Sequence, residues 1–520
     1  MSRRVEKLLA LLAFLVLAGL LCTYHVVNAF NHNLDTAFLL EAMRHVRETG
    51  VPTTFLGPAF LDALEGLYFD ANTFCNAALK ASEKGLSIMT SHAYLMIYPL
   101  GWLGWLAPDH VVLGIVNGLA FAGFIYILYG VLRQHGVGVT GALAFCAVVI
   151  AHPVWTFGQM GDFYLDRFFS PLGLLYAALL HGLVSGRQAP TPRALILLLA
   201  VVLVAVSTTE RAAVMLGYMS AVFLVVYWRQ APRQAKLLVP LLCAVLGTYV
   251  LVWMLSVYVP HDATPTHGRF LQRVLHELGK FNDPVMGPKI WEFLLVNLVL
   301  LAIWAAADWR LALIAAAALL PNLAVSLGGA EKNGWSTHYH ALYFPFVVFA
   351  GAAGLGRVWG RLAGTRWRFA VAAVVAALVP AISQSAVMYR GQPGIGLRAY
   401  LFYTLGKASY ERYRAEQLQK VAEAVPRGSR VAALEQFTPI LQDGRKVSYY
   451  PVGLAEAEYV VLARLDKPDG SFTYVGAVSY VGAGAETDAC LTQRMGRMGF
   501  DIDKPLMQMG AVVVLARKPR

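Results

Sequence analysis

At 520 residues, 58% hydrophobic, 14% charged and a mean hydropathy of +0.55, the chain lies far from soluble averages of roughly 25% charged residues. That composition excludes an ordinary globular enzyme and reads as a polytopic membrane protein. The net charge of +12 does not mark a nucleic-acid binder, because the Lys and Arg residues cluster between apolar segments, where the positive-inside rule puts them.

Arg3, Arg4 and Lys7 precede an apolar run from Leu8 to about Ala29. At about 20 residues the run can span roughly 30 Å of hydrocarbon, and no small-residue cleavage site follows it. It reads as an uncleaved first span with a cytoplasmic N-terminus rather than as a signal peptide. Beyond it a long outer loop, 30–109, opens on Asn31-His32-Asn33-Leu34-Asp35. Asn33 can cap a helix from Leu34 to about Glu48, with Asp35 in its first turn. The ordinary role of such an acid is to complement the helix dipole, worth about 0.3–1 kcal/mol. A carboxylate between a span and a juxtamembrane helix is equally a site hypothesis.

His92 to Leu106 is apolar but only about 15 residues long, roughly 22 Å as a helix. With Pro99, Trp102 and Trp105 it suits a segment lying along the outer surface. The spans are then 8–29, 110–132, 138–156, 164–184, 193–208, 212–228, 236–258, 290–306, 310–326, 339–356 and 368–387, about eleven in all. This arrangement sends Arg133, Arg187, Arg193, Arg229, Arg233, Lys236, Arg310 and the Arg357, Arg361, Arg366, Arg368 cluster to the inside. Counting 92–106 as a crossing would export that last cluster, so the alternative is rejected.

The outer connections carry a different population. Asp35, Glu41 and His45 lie in the first loop, Asp162 stands just before Asp166 and Arg167, Glu210-Arg211 fills a very short turn, and Glu331-Lys332 leads to His338-Tyr339-His340. Burying such groups near hydrocarbon is costly, and solvation gives no reason to gather them on one side. They read as the lining of a polar extracytoplasmic cavity. Each also has a plainer reading: Asp162, Asp166 and Arg167 as an interfacial salt-bridge cluster, Glu210-Arg211 as a structural buried pair, and His338 and His340 as interfacial histidines rather than a His-x-His metal site.

Residues 388–520 change character and read as a small extracytoplasmic α/β domain following a transmembrane domain, 1–387. A helix is expected over Tyr400–Ala424, strands over Val431–Leu434, Lys446–Tyr450, Tyr459–Ala463, Phe472–Val475 and Ala511–Ala516, and a helix near Glu486–Met498. This region has no Gly-rich phosphate loop, metal cluster or nucleophile elbow, so recognition or a lid suits it better than chemistry. The five cysteines, Cys22, Cys75, Cys146, Cys243 and Cys490, show no C-x-x-C spacing. Cys75 and Cys490 both fall outside the membrane, a placement compatible with a disulfide.

The order of parts resembles the GT-C class of membrane glycosyltransferases, and a bacterial family of predicted membrane proteins of unknown function that shares that arrangement. The resemblance rests on Asn33-Leu34-Asp35 with its helix, Ser91-His92-Ala93-Tyr94 through Pro99-Leu100, Gly161-Asp162-Phe163, Thr209-Glu210-Arg211 and His338-Tyr339-His340-Ala341 with Pro345. It continues in the tail through Pro426, Val431, Pro439, Tyr449-Tyr450-Pro451 and Tyr459-Val460-Val461-Leu462. It covers nearly the whole chain, and the order of these short motifs is more specific than any one of them. What it implies is an all-α GT-C-like bundle of about eleven transmembrane helices in a bacterial inner membrane, carrying the C-terminal α/β domain.

In GT-C enzymes a first-loop carboxylate takes the proton from an acceptor hydroxyl while a polyprenyl-phosphate sugar donates from the outer leaflet. Carried over, the general base is Asp35, and Arg167, Arg211, Lys332 and His92 are available to stabilise the leaving phosphate. Asp162, Asp166, Glu210, His338 and His340 complete the expected substrate-binding set. The chain departs from the pattern at two places. Asp35 stands between Leu34 and Thr36 with no second acid beside it, so no cofactor is assigned and a divalent metal is left as an open alternative. Ala93-Tyr94 also replaces the paired prolines that follow a basic residue in related transferases.

The leading function is transfer of a sugar from a polyprenyl-phosphate donor to an extracytoplasmic glycan, lipid or protein acceptor, with membrane lipids as the surroundings and no nucleic-acid partner. The rival is a transporter or flippase of a lipid-linked substrate. Transporters favour internal repeats and midplane charges, whereas these halves do not repeat and the charges sit at span ends. A third class, an assembly or sensing protein merely anchored by its spans, has no use for an acid-lined face.

Overall fold

Helices occupy the apolar stretches because a backbone that leaves water must satisfy its own N–H and C=O groups, which a helix does within one segment. The computed structural model describes residues 3–27, 34–56, 85–90, 92–160, 163–187, 190–258, 276, 279–284, 286–325, 339–384, 415–434, 437–442, 444–466, 472–475, 485–510 and 512–518. In chain order these give α1 (Arg3–Val27), α2 (Leu34–Thr49), the short strands β1 (Thr53–Thr54) and β2 (Leu86–Ser87), α3 (Ile97–Leu103), α4 (Asp109–Gln134), α5 (Val139–Ala151) and α6 (Pro153–Met160). They continue with α7 (Phe169–Val184), α8 (Pro192–Val206), α9 (Glu210–Tyr227), α10 (Arg233–Tyr258), α11 (Met286–Leu300), α12 (Trp309–Val325), α13 (His340–Arg361) and α14 (Trp367–Gln384). The C-terminal part holds α15 (Ala415–Glu423), β3 (Arg430–Ala433), α16 (Thr438–Leu441), β4 (Lys446–Tyr449), β5 (Tyr459–Asp466), β6 (Phe472–Val475), α17 (Ala485–Arg497), β7 (Met507–Met509) and β8 (Val512–Ala516).

Among the described residues six helices are long and apolar enough to cross a membrane: Arg4–Val26, Asp109–Gln134, Leu165–Val184, Glu210–Tyr227, Arg233–Ser256 and His340–Arg361. Four shorter apolar helices accompany them. On α1 and α10, Leu8 and Leu237 are each 66% exposed, a surface that lipid tails tolerate and water does not. The chain is a multi-pass membrane protein.

Two expected spans are interrupted. The stretch 138–156 breaks at His152, whose ψ of 135° is extended because Pro153 disfavours the helical region for the residue before it. The stretch 290–306 breaks at Leu301 and continues as a tighter 3₁₀ turn, Ala302–Ala307. Helix α13 presses on that turn: a Cβ on Gly351 would lie 2.4 Å from the Leu301 carbonyl oxygen, and one on Gly354 2.2 Å from that of Trp304. Glycine at both positions is what permits the approach.

The chain divides into two compact units. The first takes residues 1–23, 92–96 and 115–405, and the second takes 24–91, 97–114 and 406–520. In the first unit α13 is the central element, buried nearly throughout, with α7, α12 and the 302–307 turn packed on it. At about 1.5 Å per residue its 22 residues cover roughly 33 Å, close to a hydrocarbon core. Asp166, Arg167, Glu210, Arg211 and His340 stand at one end of the first unit's helices. His135, Arg187, Asp308, Arg310, Arg357 and Arg361 stand at the other.

In the second unit a sheet runs β4-β3-β5-β8-β7, with β6 added to the end of β5. Strand β3 pairs in parallel with β4 and β5, while β5–β8 and β8–β7 are antiparallel. Its apolar faces bury Val431, Val460, Leu462, Val513 and Leu515 against Leu418, Val421, Leu491 and Met495 of α15 and α17. The helix expected over Tyr400–Ala424 is present as α15, its 400–414 part lying outside the described residues, and β7 and α16 are additions to the expected elements. Strand β7 is only three residues long, too short for a period-2 signal.

Candidate functional site

Residues 92–96 of the first unit cross the turn between α8 and α9. Met96 N–H donates to the Ser207 carbonyl at 2.7 Å, and Ala93 N–H donates to Glu210 Oε2 at 2.9 Å. Thr209 caps α9: its backbone is extended (φ −172°), its side chain accepts from Arg211 N–H, and its hydroxyl donates to Glu210 Oε2 at 3.2 Å. Glu210 therefore sits at the positive end of the helix dipole with both oxygens engaged, the condition under which a 6%-exposed carboxylate is tolerated. Its other oxygen, Oε1, meets His92 Nδ1 at 3.0 Å and lies 3.8 Å from Arg211 Nε. With Nδ1 committed to Glu210, Nε2 is the ring nitrogen left to meet a ligand.

The 3₁₀ turn Leu165–Phe168 buries Asp166 completely and Arg167 to 3% exposure. Tyr94 OH donates to Asp166 Oδ2 at 3.3 Å. Arg211 lies in the field of Asp166, Glu210 and Tyr339, with its guanidinium 4.9 Å from the Tyr339 ring centre. Its Nη1 is buried and has no hydrogen-bond partner among the described residues. Arg167 and His340 line a small cavity with Trp155, Ser170 and Phe344, about 20 Å³ and so room for about one water. His340 Nδ1 is held by Tyr343 OH at 2.8 Å, and that hydroxyl accepts from Asn297 Nδ2 at 3.2 Å.

The helix ends thus bring His92, Asp166, Glu210 and Arg211 together, with Arg167 and His340 on the adjoining cavity. Two carboxylates face two guanidiniums, leaving the Arg211 Nη1 group, and the His92 Nε2 edge in the imidazolium form, as the groups able to take an anion. Asp35 is the second residue of α2, in the other unit, and only its backbone is described. Asp162, Lys332 and His338 lie outside the described residues. Tyr94, Thr209 and Tyr339 join the cluster without having been singled out as site residues. Thr209 carries a readable signal, an N-cap directly before a Glu-Arg pair. Among the described residues no group of three or more His, Cys, Asp or Glu is arranged to hold a metal ion.

Glu41, another outer-loop acid, is committed to the fold of the second unit. Its Oε2 accepts from Thr54 Oγ1 at 2.7 Å and from the N–H groups of Phe55 and Leu56 at 3.0 and 3.2 Å.

No protein-family model and no curated protein matches the chain. Among solved structures, the crystal structure of ArnT from Cupriavidus metallidurans bound to undecaprenyl phosphate is similar at 12% identity and a TM-score of 0.46, with 100% of each chain covered. At that level of similarity nothing about this chain's chemistry follows from the likeness.

Proposed function

We propose that the chain is a GT-C-like membrane glycosyltransferase with about eleven spans, a cytoplasmic N-terminus and an extracytoplasmic C-terminal domain, moving a sugar from a polyprenyl-phosphate donor to an extracytoplasmic acceptor. The observation that carries the reading is Arg211: a guanidinium in the field of two buried acids and beside an aromatic face, whose buried Nη1 has no hydrogen-bond partner among the described residues, at the end of the spans opposite the arginine-rich end. Such a group suits the phosphate released from the donor, assisted by His92 Nε2 and Arg167. Asp35 is assigned the general base on separate grounds, its place in the sequence pattern, and takes the acceptor hydroxyl's proton as the oxygen attacks the anomeric carbon. The C–O bond to phosphate breaks, and the polyprenyl phosphate departs as an anion.

The two assignments are tested separately by incubating the purified full-length protein with labelled polyprenyl-phosphate sugars and a cell-envelope acceptor extract. Asp35→Asn should lower transfer by about 10²–10⁴-fold with donor binding retained. Arg211→Gln should lower both transfer and donor binding, transfer by about 10²–10³-fold. Unimpaired transfer by Asp35→Asn would remove the base assignment and leave the phosphate site standing. Movement of labelled lipid between leaflets with no glycosidic product would replace the whole reading with that of a flippase.

A further inference from the structure

At the other end of the first unit the structure forms a second polar recess, of about 690 Å³, lined by His135, Arg187, Asp308, Arg310, Arg357 and Arg361 among others. Three helix ends and a turn supply these side chains: the residue after α4, the turn after α7, the start of α12 and the last turn of α13. The positive-inside rule accounts for basic residues on this face, but it does not require them to converge on one concavity.

Here they converge in fixed positions. Arg357 Nη2 lies 3.3 Å from Asp308 Oδ2, Arg361 Nη2 donates to the Ala307 carbonyl at 3.1 Å, and Arg187 Nη1 contacts His135 Nδ1 at 3.3 Å. Arg310 stacks over Trp309 at 4.9 Å and faces Tyr227 at 5.7 Å. Four guanidiniums face one carboxylate, and Asp308 is the only acid of the lining, so three positive charges are uncompensated when His135 is neutral. Gly360, also in the lining, has nothing within 4 Å of its missing Cβ, which leaves the floor between Arg357 and Arg361 open. Trp309 is 59% exposed at the rim, as an interfacial tryptophan beside a headgroup is.

We infer that this recess is a binding site for a phosphate group, recognised by Arg187, Arg310, Arg357 and Arg361 at the basic face of the membrane domain. Guanidiniums pair with phosphate oxygens bidentately, and forks already held by Asp308 and by a backbone carbonyl lose little freedom on binding. The phosphate has two sources, the headgroup of an acidic phospholipid or a soluble phosphate. Basic pockets between helices at this depth suit the first. The site is separate from the Arg211 cluster and does not depend on the glycosyltransferase reading.

The test titrates lipid-stripped, detergent-solubilised full-length protein with phosphatidylglycerol, phosphatidylcholine or inorganic phosphate, following tryptophan fluorescence, to which Trp309 contributes. Phosphatidylglycerol should bind at least about tenfold more tightly than phosphatidylcholine and more weakly at high salt. Removing two arginines in Arg310→Gln/Arg361→Gln should abolish most of that preference, about fivefold for each charge. Should that pair fail to fold, Arg187→Gln/Arg357→Gln, whose side chains are exposed, makes the same measurement. Inorganic phosphate binding as tightly as phosphatidylglycerol identifies the soluble source. Equal affinity for both lipids with no response to phosphate overturns the site, as does an undiminished preference in the folded double variant.

Discussion

Glu210 joins His92, Ala93, Thr209 and Arg211 in one buried arrangement, so replacing it tests the cluster independently of any substrate. Glu210→Gln keeps the size but turns one oxygen into an N–H donor facing the donors of its neighbours. The loss of charge-assisted bonds is expected to cost about 1.5–3 kcal/mol, read as a lower thermal-unfolding midpoint, whereas Thr209→Ala should cost about half as much. A midpoint unchanged by Glu210→Gln would mean that the carboxylate is not ionised in the folded protein. At this scale the sequence was informative about residues and silent about partners. His92, Asp166, Glu210 and Arg211 stand out because charged groups beside apolar runs are costly. The pairing of His92 with Glu210 crosses 118 residues, and no local pattern encodes it.

Among elements, α2 depends on the C-terminal sheet module. Gln442, buried at 5% exposure just after α16, donates from Nε2 to the Ala37 carbonyl at 2.9 Å, and Arg44 of α2 donates back to the Gln442 carbonyl. This exchange ties the first turn of α2, which includes Asp35, to a module about four hundred residues downstream. The C-terminal module thus holds the helix that carries Asp35. Gln442→Ala should loosen the tie by about 1–2 kcal/mol and speed hydrogen exchange of the α2 amides severalfold, with α9 unchanged. If the Asp35 assignment holds, kcat should fall while donor binding does not. Exchange of α2 as slow as in the wild type would show that the tie is dispensable. The helix and the strands β3, β4, β5 and β8 were readable from capping and apolar patterning. Their association with α2 was not, because residues 24–91 and 406–520 share a unit only through non-local contacts.

For the whole molecule, the separation of two polar ends by helices of membrane-spanning length was legible from the arginine distribution along the chain. The breaks at His152 and Leu301 were not, since hydropathy averages over them. The arginine-rich end also makes stability depend on pH. His135 faces Arg187, Arg357 and the ring of His181, and burial first, then the two arginines, push its imidazole down to about 4. Unfolded, the same ring titrates near 6.5, so the unfolded chain takes up a proton that the folded one refuses. The sign follows: His135 costs nothing above about pH 6.5, and stability falls as the pH drops from there toward 4, where the loss levels off. Over roughly 2.5 pH units the loss is on the order of 3 kcal/mol. Comparing thermal midpoints of wild type and His135→Gln between about pH 7.5 and 4.5 isolates this contribution from the acids that titrate in both proteins. The wild type should lose more stability than the variant across that window, and an acidic phospholipid seated among the four arginines should shrink the difference by screening them. Parallel curves for the two proteins would mean that His135 meets solvent in the folded state.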